Sequence, residues 1–299
     1  MAGLGTNVGT SFSLAARMNG FPTIGGMQVS TWFFSPIQSF KGFMGDRELP
    51  SVHFEPIEGE QIEVAFTNTS GMEHTIHLHG LDVDQRHDGV PQTSFAIPTG
   101  GTFTYKFKAP HAGTYMYHCH VDTVIHFAKG MYGAIIVRPP DGSTNKAWTG
   151  GPTFDTEALW HLHTLDSQWN NTQLFSGPGT ARHHPDIFMI NGNATAEALV
   201  DPHTRIVVGA GQKAYLRLLN TDYHWARVSL GGLPFQVVAS DGRPLQTPVT
   251  TGTWELGPGE RYDLLFTPTT PTSVNAQVDY LDDASGAVLG SAQTSIVVT

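Results

Sequence analysis

Three histidines stand within six residues in the segment GMEHTIHLHGLD at 71–82, namely His74, His77 and His79. Residues two apart on a strand face the same way, so His77 and His79 project to one side. His74 comes three residues earlier and faces the other side. Imidazole is the commonest metal-binding side chain, and this close spacing favours metal ligands over ordinary buried hydrogen-bonding groups. The segment therefore predicts ligands for two separate sites.

A second cluster lies in the segment GTYMYHCHVDTVIHFAKGMYG at 113–133, which contains His118, Cys119, His120, His126 and Met131. A thiolate, an imidazole and a thioether on one loop form a soft ligand set that suits copper. Two histidines and one cysteine with a weak axial methionine describe a blue electron-transfer centre. The fourth ligand must come from elsewhere in the fold, and His74 is the candidate.

The alternation of side chains along a strand separates Cys119 from its two neighbours. His118 and His120 point away from the thiolate and can reach the site lined by His77 and His79. Two metal sites would then be joined covalently through one His-Cys-His sequence. Zinc is the competing interpretation, but structural zinc sites usually use several cysteines and have no use for a thioether.

The elements that carry these clusters read as short strands separated by turn residues. QIEVAFTN at 61–68 and TFTYKFKAP at 102–110 alternate apolar and polar residues, and no stretch keeps a helical period for long. STNKAWTGGPT at 143–153 has the polar, Gly- and Thr-rich composition of a linker. The sequence predicts an all-β protein of two Greek-key β-sandwiches, residues 1–150 and 151–299.

Composition restricts the possible functions of the 299-residue chain. The 16 basic and 26 acidic residues give a net charge of −10, which argues against nucleic-acid binding. No run of 18 apolar residues is present to span a membrane. The first twenty residues contain no apolar core of a signal peptide, so we expect no leader within them.

A faint internal repeat relates the two halves. EGEQIEVAFTNTSGMEHTIHLHGLDV aligns with AGQKAYLRLLNTDYHWARVSLGGLPF, with Gly80 opposite Gly232. The three histidines of the first segment then stand opposite Ala226, Ser229 and Gly231. The second half keeps the strand and lacks the metal-binding residues.

Together these segments resemble the multicopper oxidases, the laccase and copper nitrite reductase group of cupredoxin proteins. HTIHLHG is similar to the family's H-x-x-H-x-H-G, and HCHVDTVIHFAKGM to its H-C-H loop that ends in His and Met. The resemblance implies two cupredoxin-like domains and copper as cofactor. It implies these ligands: His74, Cys119, His126 and Met131 for type 1 copper, His77 for type 2, and His79, His118 and His120 for the type 3 pair.

One departure from the family pattern lies in the loop after Cys119, and two other positions separate the chain from the copper nitrite reductases. His126 follows Cys119 by seven residues, and Val124 occupies the position where most laccase-like chains have their histidine. Copper nitrite reductases carry an aspartate where this chain has His77, and no histidine where it has His120. The histidines at both positions favour dioxygen over nitrite as the electron acceptor.

The number of histidines is the larger departure, because the family's trinuclear cluster takes eight and the motifs supply four. His161 and His163 in WHLHT have the local spacing of a ligand pair but lie on an early strand of the second half. An ordinary core or surface role is the alternative for this pair. The other histidines considered are His183, His184, His203 and His224.

The resemblance implies a copper-dependent oxidase. We expect it to pass electrons from a phenol, an aromatic amine or a low-valent metal ion along His118, Cys119 and His120 to dioxygen. The alternatives are a non-catalytic blue copper electron-transfer protein and a copper nitrite reductase. Since half of the inner ligands are missing, we expect a homo-oligomer, with a trimer favoured and a dimer possible. The resemblance also implies a periplasmic or secreted location.

Overall fold

The computed structural model describes residues 7–39, 41–42, 47–172 and 183–299 of the chain. Within these residues the first half contains nine strands, one short α-helix and one 3-10 helix (Gln85–His87). The strands are β1 (Ser11–Gly20), β2 (Thr23–Ile24), β3 (Met27–Gln28), β4 (Thr31–Ser35), β5 (Gln61–Thr67), β6 (His77–His79), β7 (Thr102–Lys108), β8 (Gly113–His118) and β9 (Tyr132–Val137), and the helix is α1 (Thr123–Ala128).

The described part of the second half contains eleven strands and two short helices. The strands are β10 (Thr156–Leu165), β11 (Ile187–Ile190), β12 (Ile206–Val208), β13 (Ala214–Asn220), β14 (Trp225–Ser229), β15 (Phe235–Ser240), β16 (Arg243–Thr251), β17 (Thr253–Leu256), β18 (Arg261–Phe266), β19 (Thr272–Leu281) and β20 (Val288–Val298). The helices are α2 (Ser167–Asn171) and α3 (Thr195–Ala198).

The first half packs a four-stranded sheet, ordered β4-β1-β5-β7, against a three-stranded sheet, ordered β6-β8-β9. Ile62, Val64 and Phe66 on β5 are buried while the residues between them are partly exposed, as their alternation predicts. Their side chains share one apolar core with Tyr115 and Ile135 of the facing sheet. The predicted sandwich is therefore present, held together by the apolar inner faces of two sheets.

The second half repeats this architecture with larger sheets. A six-stranded sheet, ordered β11-β10-β13-β18-β15-β16, packs on a five-stranded sheet, ordered β12-β20-β19-β14-β17. Leu216 and Leu264 of one sheet meet Val278 and Ile296 of the other in a single buried cluster. The all-β prediction is confirmed.

β8 and β9 are buried along their whole length, on both faces. One face lies in the first sandwich, and the other packs against the second half, where Met116 and Ile136 share a cluster with Leu159 and Leu219. The strand that precedes Cys119 is therefore held from both sides. This double packing limits the movement of the residues that follow the strand.

A buried ionic network also crosses between the halves. The guanidinium of Arg138 binds Glu55 at 2.6 Å and Glu157 at 2.8 Å, and Arg217 binds the same Glu157 at 2.7 Å. The side chains of Arg138 and Arg217 are both only 1% exposed. Among the described strands, none before residue 140 pairs with one after 155. The boundary near residue 150 stays a prediction.

The helices within the described ranges are too short to cross a membrane.

Candidate metal centres

Three side chains from separate elements meet in the first sandwich. The Sγ atom of Cys119, just after β8, lies 3.4 Å from Nδ1 of His74 and 3.1 Å from Nδ1 of His126. All three residues are completely buried. His74 is fixed by a bridge between its backbone and that of Ile97. The structure thus brings together the thiol and both imidazoles that the sequence predicts for the blue centre.

Helix α1 explains why a loop longer than usual still delivers a histidine to Cys119. Residues two apart on a helix lie about 200° apart around its axis, so Val124 and His126 face opposite ways. Val124 is 60% exposed, whereas His126 is buried and packs its ring against Trp32 at 5.1 Å between centroids. The helix turns the histidine of position 126, and not the residue at 124, towards the thiol.

Met131 lies beside this group in the same buried apolar core as Cys119. Its backbone carbonyl accepts a hydrogen bond from the amide of Cys119 at 3.0 Å, and its own amide donates to the carbonyl of His126 at 3.1 Å. These two bonds hold the 119–131 loop closed. The predicted axial thioether is thereby kept on the loop that carries two of the other three side chains.

Burial sets the protonation of this first group. It lowers the pKa of His74 to about 3 and that of His126 to about 4, and the neighbouring charge of His126 adds to the shift of His74. Burial also raises the pKa of the Cys119 thiol to about 12. Both imidazoles are therefore neutral near pH 7 and have a lone pair to offer, while a bound metal must displace the thiol proton.

A second group of four histidines lies on the other side of Cys119. Antiparallel pairing of β6 with β8 sets His77 directly opposite His118. The ring of His77 lies 5.1 Å from that of His118 and 5.2 Å from that of His120, between centroids. Nδ1 of His79 lies 3.3 Å from Nε2 of His118. The four predicted inner histidines therefore converge.

Hydrogen bonds to backbone carbonyls orient two of these rings. Nδ1 of His77 donates to the carbonyl of Asp88 at 2.7 Å, and Nδ1 of His118 donates to the carbonyl of Cys119 at 2.9 Å. Each ring then carries its proton on Nδ1 and leaves Nε2 free to bind a metal. The predicted ligands thus have the outer hydrogen bonds that metal-binding histidines usually have.

Burial also keeps three of the inner histidines, His77, His79 and His118, neutral. Burial lowers the pKa of His118 to about 3, and burial together with the charge of Arg261 lowers the pKa of His79 to about 3. Burial lowers the pKa of His77 as well, against the opposing effect of Asp88. These three neutral imidazoles, together with the ring of His120 beside them, form a donor set for copper or another imidazole-binding metal.

Comparison with known proteins identifies the family. Models of the multicopper oxidases match residues 28–142 and 153–297, and so cover most of the chain. The chain belongs to the multicopper oxidase family. Membership implies copper of types 1, 2 and 3, and the thiol, thioether and imidazole set described above fits that metal.

Individual relatives agree with this membership. The chain is 33% identical to "Laccase-3" of Botryotinia fuckeliana over 70% of its own length and 46% of that protein. It is 27% identical to "Multicopper oxidase MmcO" of Mycobacterium tuberculosis, over 70% of its own length and 44% of that protein. The chain therefore spans less than half the length of these two relatives.

Among solved structures, the blue copper oxidase of Nitrosomonas europaea is similar, with a TM-score of 0.77 and 28% identity. The match covers 96% of this chain and 85% of that one.

Two histidines in the second half of this member of the multicopper oxidase family lie outside both groups around Cys119. His161 and His163 are 1% and 2% exposed on β10 and pack their rings against Tyr132. Both ring nitrogens of His163 face carbonyl oxygens, those of Thr221 and Ala128. Neither residue joins the two groups that surround Cys119, and their role as ligands stays a prediction.

The sequence analysis did not single out two residues that support the inner group. The carbonyl and the carboxylate of Asp88, the latter at 3.3 Å, both face Nδ1 of His77. The side chain of Thr75 accepts a hydrogen bond from the amide of His120 at 3.1 Å. Thr75 stands within the HTIHLHG motif, so its position was the available signal.

Proposed function

We propose that this chain works as a laccase-like copper oxidase that takes single electrons from a reducing donor and delivers them to dioxygen. One observation carries the proposal. The sulfur of Cys119 belongs to the first group, and the rings of its two sequence neighbours, His118 and His120, belong to the second. The shortest covalent route between the two predicted copper sites then crosses a single peptide bond.

In this proposal the side chains bind and tune the metal. His74, Cys119, His126 and Met131 would hold type 1 copper, His77 would hold type 2 copper, and His79, His118 and His120 would contribute to the type 3 pair. Bound copper supplies the one-electron redox chemistry that the side chains lack. In balance, four donors each lose one electron, and one dioxygen takes up four electrons and four protons to give two waters.

The surroundings of the first group support an electron-transfer role. Its three metal-binding side chains are fully buried and Met131 is 0% exposed, so water is kept from the thiolate. A donor would therefore approach the protein surface without touching the ligands. The proposed donors are a phenol, an aromatic amine or a low-valent metal ion. We also infer a periplasmic or secreted location, as the family resemblance implies.

The inner group needs further ligands, because four histidines are half of a trinuclear set. We propose that a second copy of the chain supplies them. His77, His79 and His120 are partly exposed and can face such a copy. His161 and His163 are too deeply buried for a neighbouring copy to reach, so we propose that the second copy contributes the histidines of its own first half. The proposed assembly is a homo-oligomer, a trimer or a dimer.

The two halves are further proposed to be separate cupredoxin-like domains that meet near residue 150. The two family matches, which end at 142 and begin at 153, support this boundary. So do the separate apolar cores of the two sandwiches.

The test is copper content together with oxygen uptake on a phenolic donor. The copper-loaded protein should be intensely blue and consume oxygen. Cys119→Ser should lose the colour. His120→Ala should keep the colour and lose oxygen uptake, whereas His184→Ala, which removes an exposed histidine, should change neither.

The outcomes separate the alternatives. A blue protein with one copper per chain and no oxygen uptake would establish the electron-transfer protein instead. Reduction of nitrite without oxygen, at a rate above that of oxygen uptake, would establish the nitrite reductase.

A further inference from the structure

A tight turn at residues 257–260 joins β17 to β18 in the second half. Its sequence is Gly-Pro-Gly-Glu, and Gly259 has a φ of +80°, as the third position of a type II turn requires. The amide of Glu260 donates to the carbonyl of Gly257 at 3.1 Å and closes the turn. The amide of Gly259 donates to the carbonyl of Asn220, at the end of β13, at 3.0 Å. The turn is therefore fixed to the second sandwich.

This turn of the second half packs against His79, one of the inner histidines. A Cβ atom on Gly259 would lie 3.3 Å from Cε1 and 3.7 Å from Nε2 of the His79 ring. Any side chain at this position would press on the ring, and only glycine adopts the positive φ without strain. The absence of a side chain thus lets the backbone of the second half approach a proposed copper ligand of the first half.

A glycine of the first half makes room in the same way for a side chain of the second half. Gly80 directly follows His79 and has a φ of +84°. A Cβ atom on Gly80 would lie only 2.3 Å from Nη2 of Arg261, the first residue of β18. The glycine of the HLHG motif is therefore required twice, by its own backbone conformation and by the guanidinium that packs against it. Each half thus provides a glycine at the point where it receives a side chain of the other.

The guanidinium of Arg261 is buried and only partly compensated. Its side chain is 4% exposed, and Nη1 lies 2.7 Å from the carbonyl of Gly259 and 2.9 Å from the carboxylate of Asp241. The Asp241 side chain is 46% exposed, so solvent screens its charge. Nε is buried and has no hydrogen-bond partner in the part of the chain that the structure describes. A guanidinium stays protonated in proteins, so a permanent positive charge stands beside the HLHG turn.

This charge acts on the inner group from one direction. After burial, it is the next cause of the lowered pKa of His79, which places the guanidinium close to that ring. The carboxylate of Asp88 lies instead against His77, at 3.3 Å from Nδ1. Opposite charges therefore stand next to two different inner rings. A small anion is favoured beside His79, where the positive charge is buried and weakly screened.

We propose that Arg261 is a positioning residue of the inner site, supplied by the second half of the same chain. Its guanidinium holds the turn after His79 in place and favours small inorganic anions beside that ring. The inference rests on the proposed function, because such anions would bind at the inner copper site. Dioxygen gains negative charge as it takes up electrons, so a fixed positive charge at this position would assist its reduction.

Titration of the copper-loaded protein with azide, followed by the absorption change on binding, tests the role of the charge. Arg261→Gln should raise the Kd for azide about tenfold, as expected for the loss of one partly screened charge nearby. Arg261→Lys keeps the charge and should restore most of the affinity. Arg227→Gln is the matched control and should equal the wild type, because it removes a second-half arginine whose partner is Glu255, at 2.8 Å.

Copper content and blue colour, measured on every variant, separate the possible outcomes. Equal azide affinities of the wild type and Arg261→Gln, at equal copper content, would overturn the proposed role of the charge and leave the proposed function standing. A wild type with a single copper per chain and no absorption change with azide would overturn the proposed function and the anion role together.

Urea denaturation of the copper-free protein tests the contact between the halves without any metal. Gly80→Ala should lower the unfolding midpoint, because its methyl group meets the guanidinium. In an Arg261→Ala background the same change should lower the midpoint by about half as much or less, since only the strain of the positive φ remains. Gly142→Ala is the control: Gly142 has a φ of +69° and open space around it, so the loss should be the same in both backgrounds. Equal losses from Gly80→Ala in both backgrounds would overturn the positioning role of Arg261.

Discussion

Acidification should unfold the copper-free protein well before the copper-loaded one. Burial depresses the pKa of His74, His118 and His161 to about 3 and that of His126 to about 4, from an ordinary value of 6.5. Below pH 6.5 these histidines become protonated in the unfolded chain, whereas in the folded chain they stay neutral until the pH approaches their lowered pKa values. Stability is therefore intact above pH 6.5 and falls as the pH drops towards the folded values.

The loss of folding stability depends on how far the pH lies below 6.5. Each histidine contributes about 1.36 kcal/mol per pH unit once the pH is below 6.5. At pH 5 the cost is about 2 kcal/mol for each of these four residues and about 8 kcal/mol for all of them. Since folded domains are stable by only about 5–15 kcal/mol, the copper-free protein should be close to unfolding at pH 5.

Urea denaturation of the copper-free and copper-loaded proteins at pH 7 and pH 5 measures the loss of folding stability between the two conditions. Bound copper would block the protonation of its proposed ligands His74, His118 and His126, so the loaded protein should lose much less stability between the two conditions. His184→Ala serves as the control, because it removes an exposed histidine that belongs to neither group around Cys119. Equal stability of the copper-free protein at pH 7 and pH 5 would refute the reasoning.

Three further predictions concern single side chains. Met131→Leu should keep the blue colour and raise the reduction potential measured by redox titration, because an axial thioether tunes the metal without holding it; an unchanged potential would count against this ligand. Val124→His should leave colour and potential unchanged, since position 124 faces solvent, and a shifted spectrum would mean that the helix can rotate. Glu157→Gln should lower the free energy of unfolding by about 3–5 kcal/mol in urea denaturation, because it leaves two buried guanidinium groups short of a partner; a loss below about 1 kcal/mol would show that the network is dispensable.

The residue types of the proposed copper ligands, their assignment to two faces and the all-β architecture could all be predicted from the sequence. Local periodicity was sufficient, because a strand turns alternate residues to opposite sides. That rule separated His74 from His77 and His79, and Cys119 from His118 and His120. The structure gathers these residues into the two expected groups.

Other features depended on contacts between residues distant in the chain. The burial of His161 and His163 results from packing of β10 between two other strands and against Tyr132. The Asp88 contact to His77 depends on how a loop folds back, and local spacing carries no information on that.

The pairing of His183 with His224 in the second half shows the same limit most clearly. His183 and His224 are 41 positions apart, with no shared motif. From the sequence they could be considered only as separate histidines, because no local spacing pattern relates one to the other. Their rings come together because the turn between β13 and β14 meets a separate segment of the chain. Sequence alone thus determined the ligand chemistry around Cys119, which local geometry governs, whereas only the tertiary structure decided which distant histidines come together.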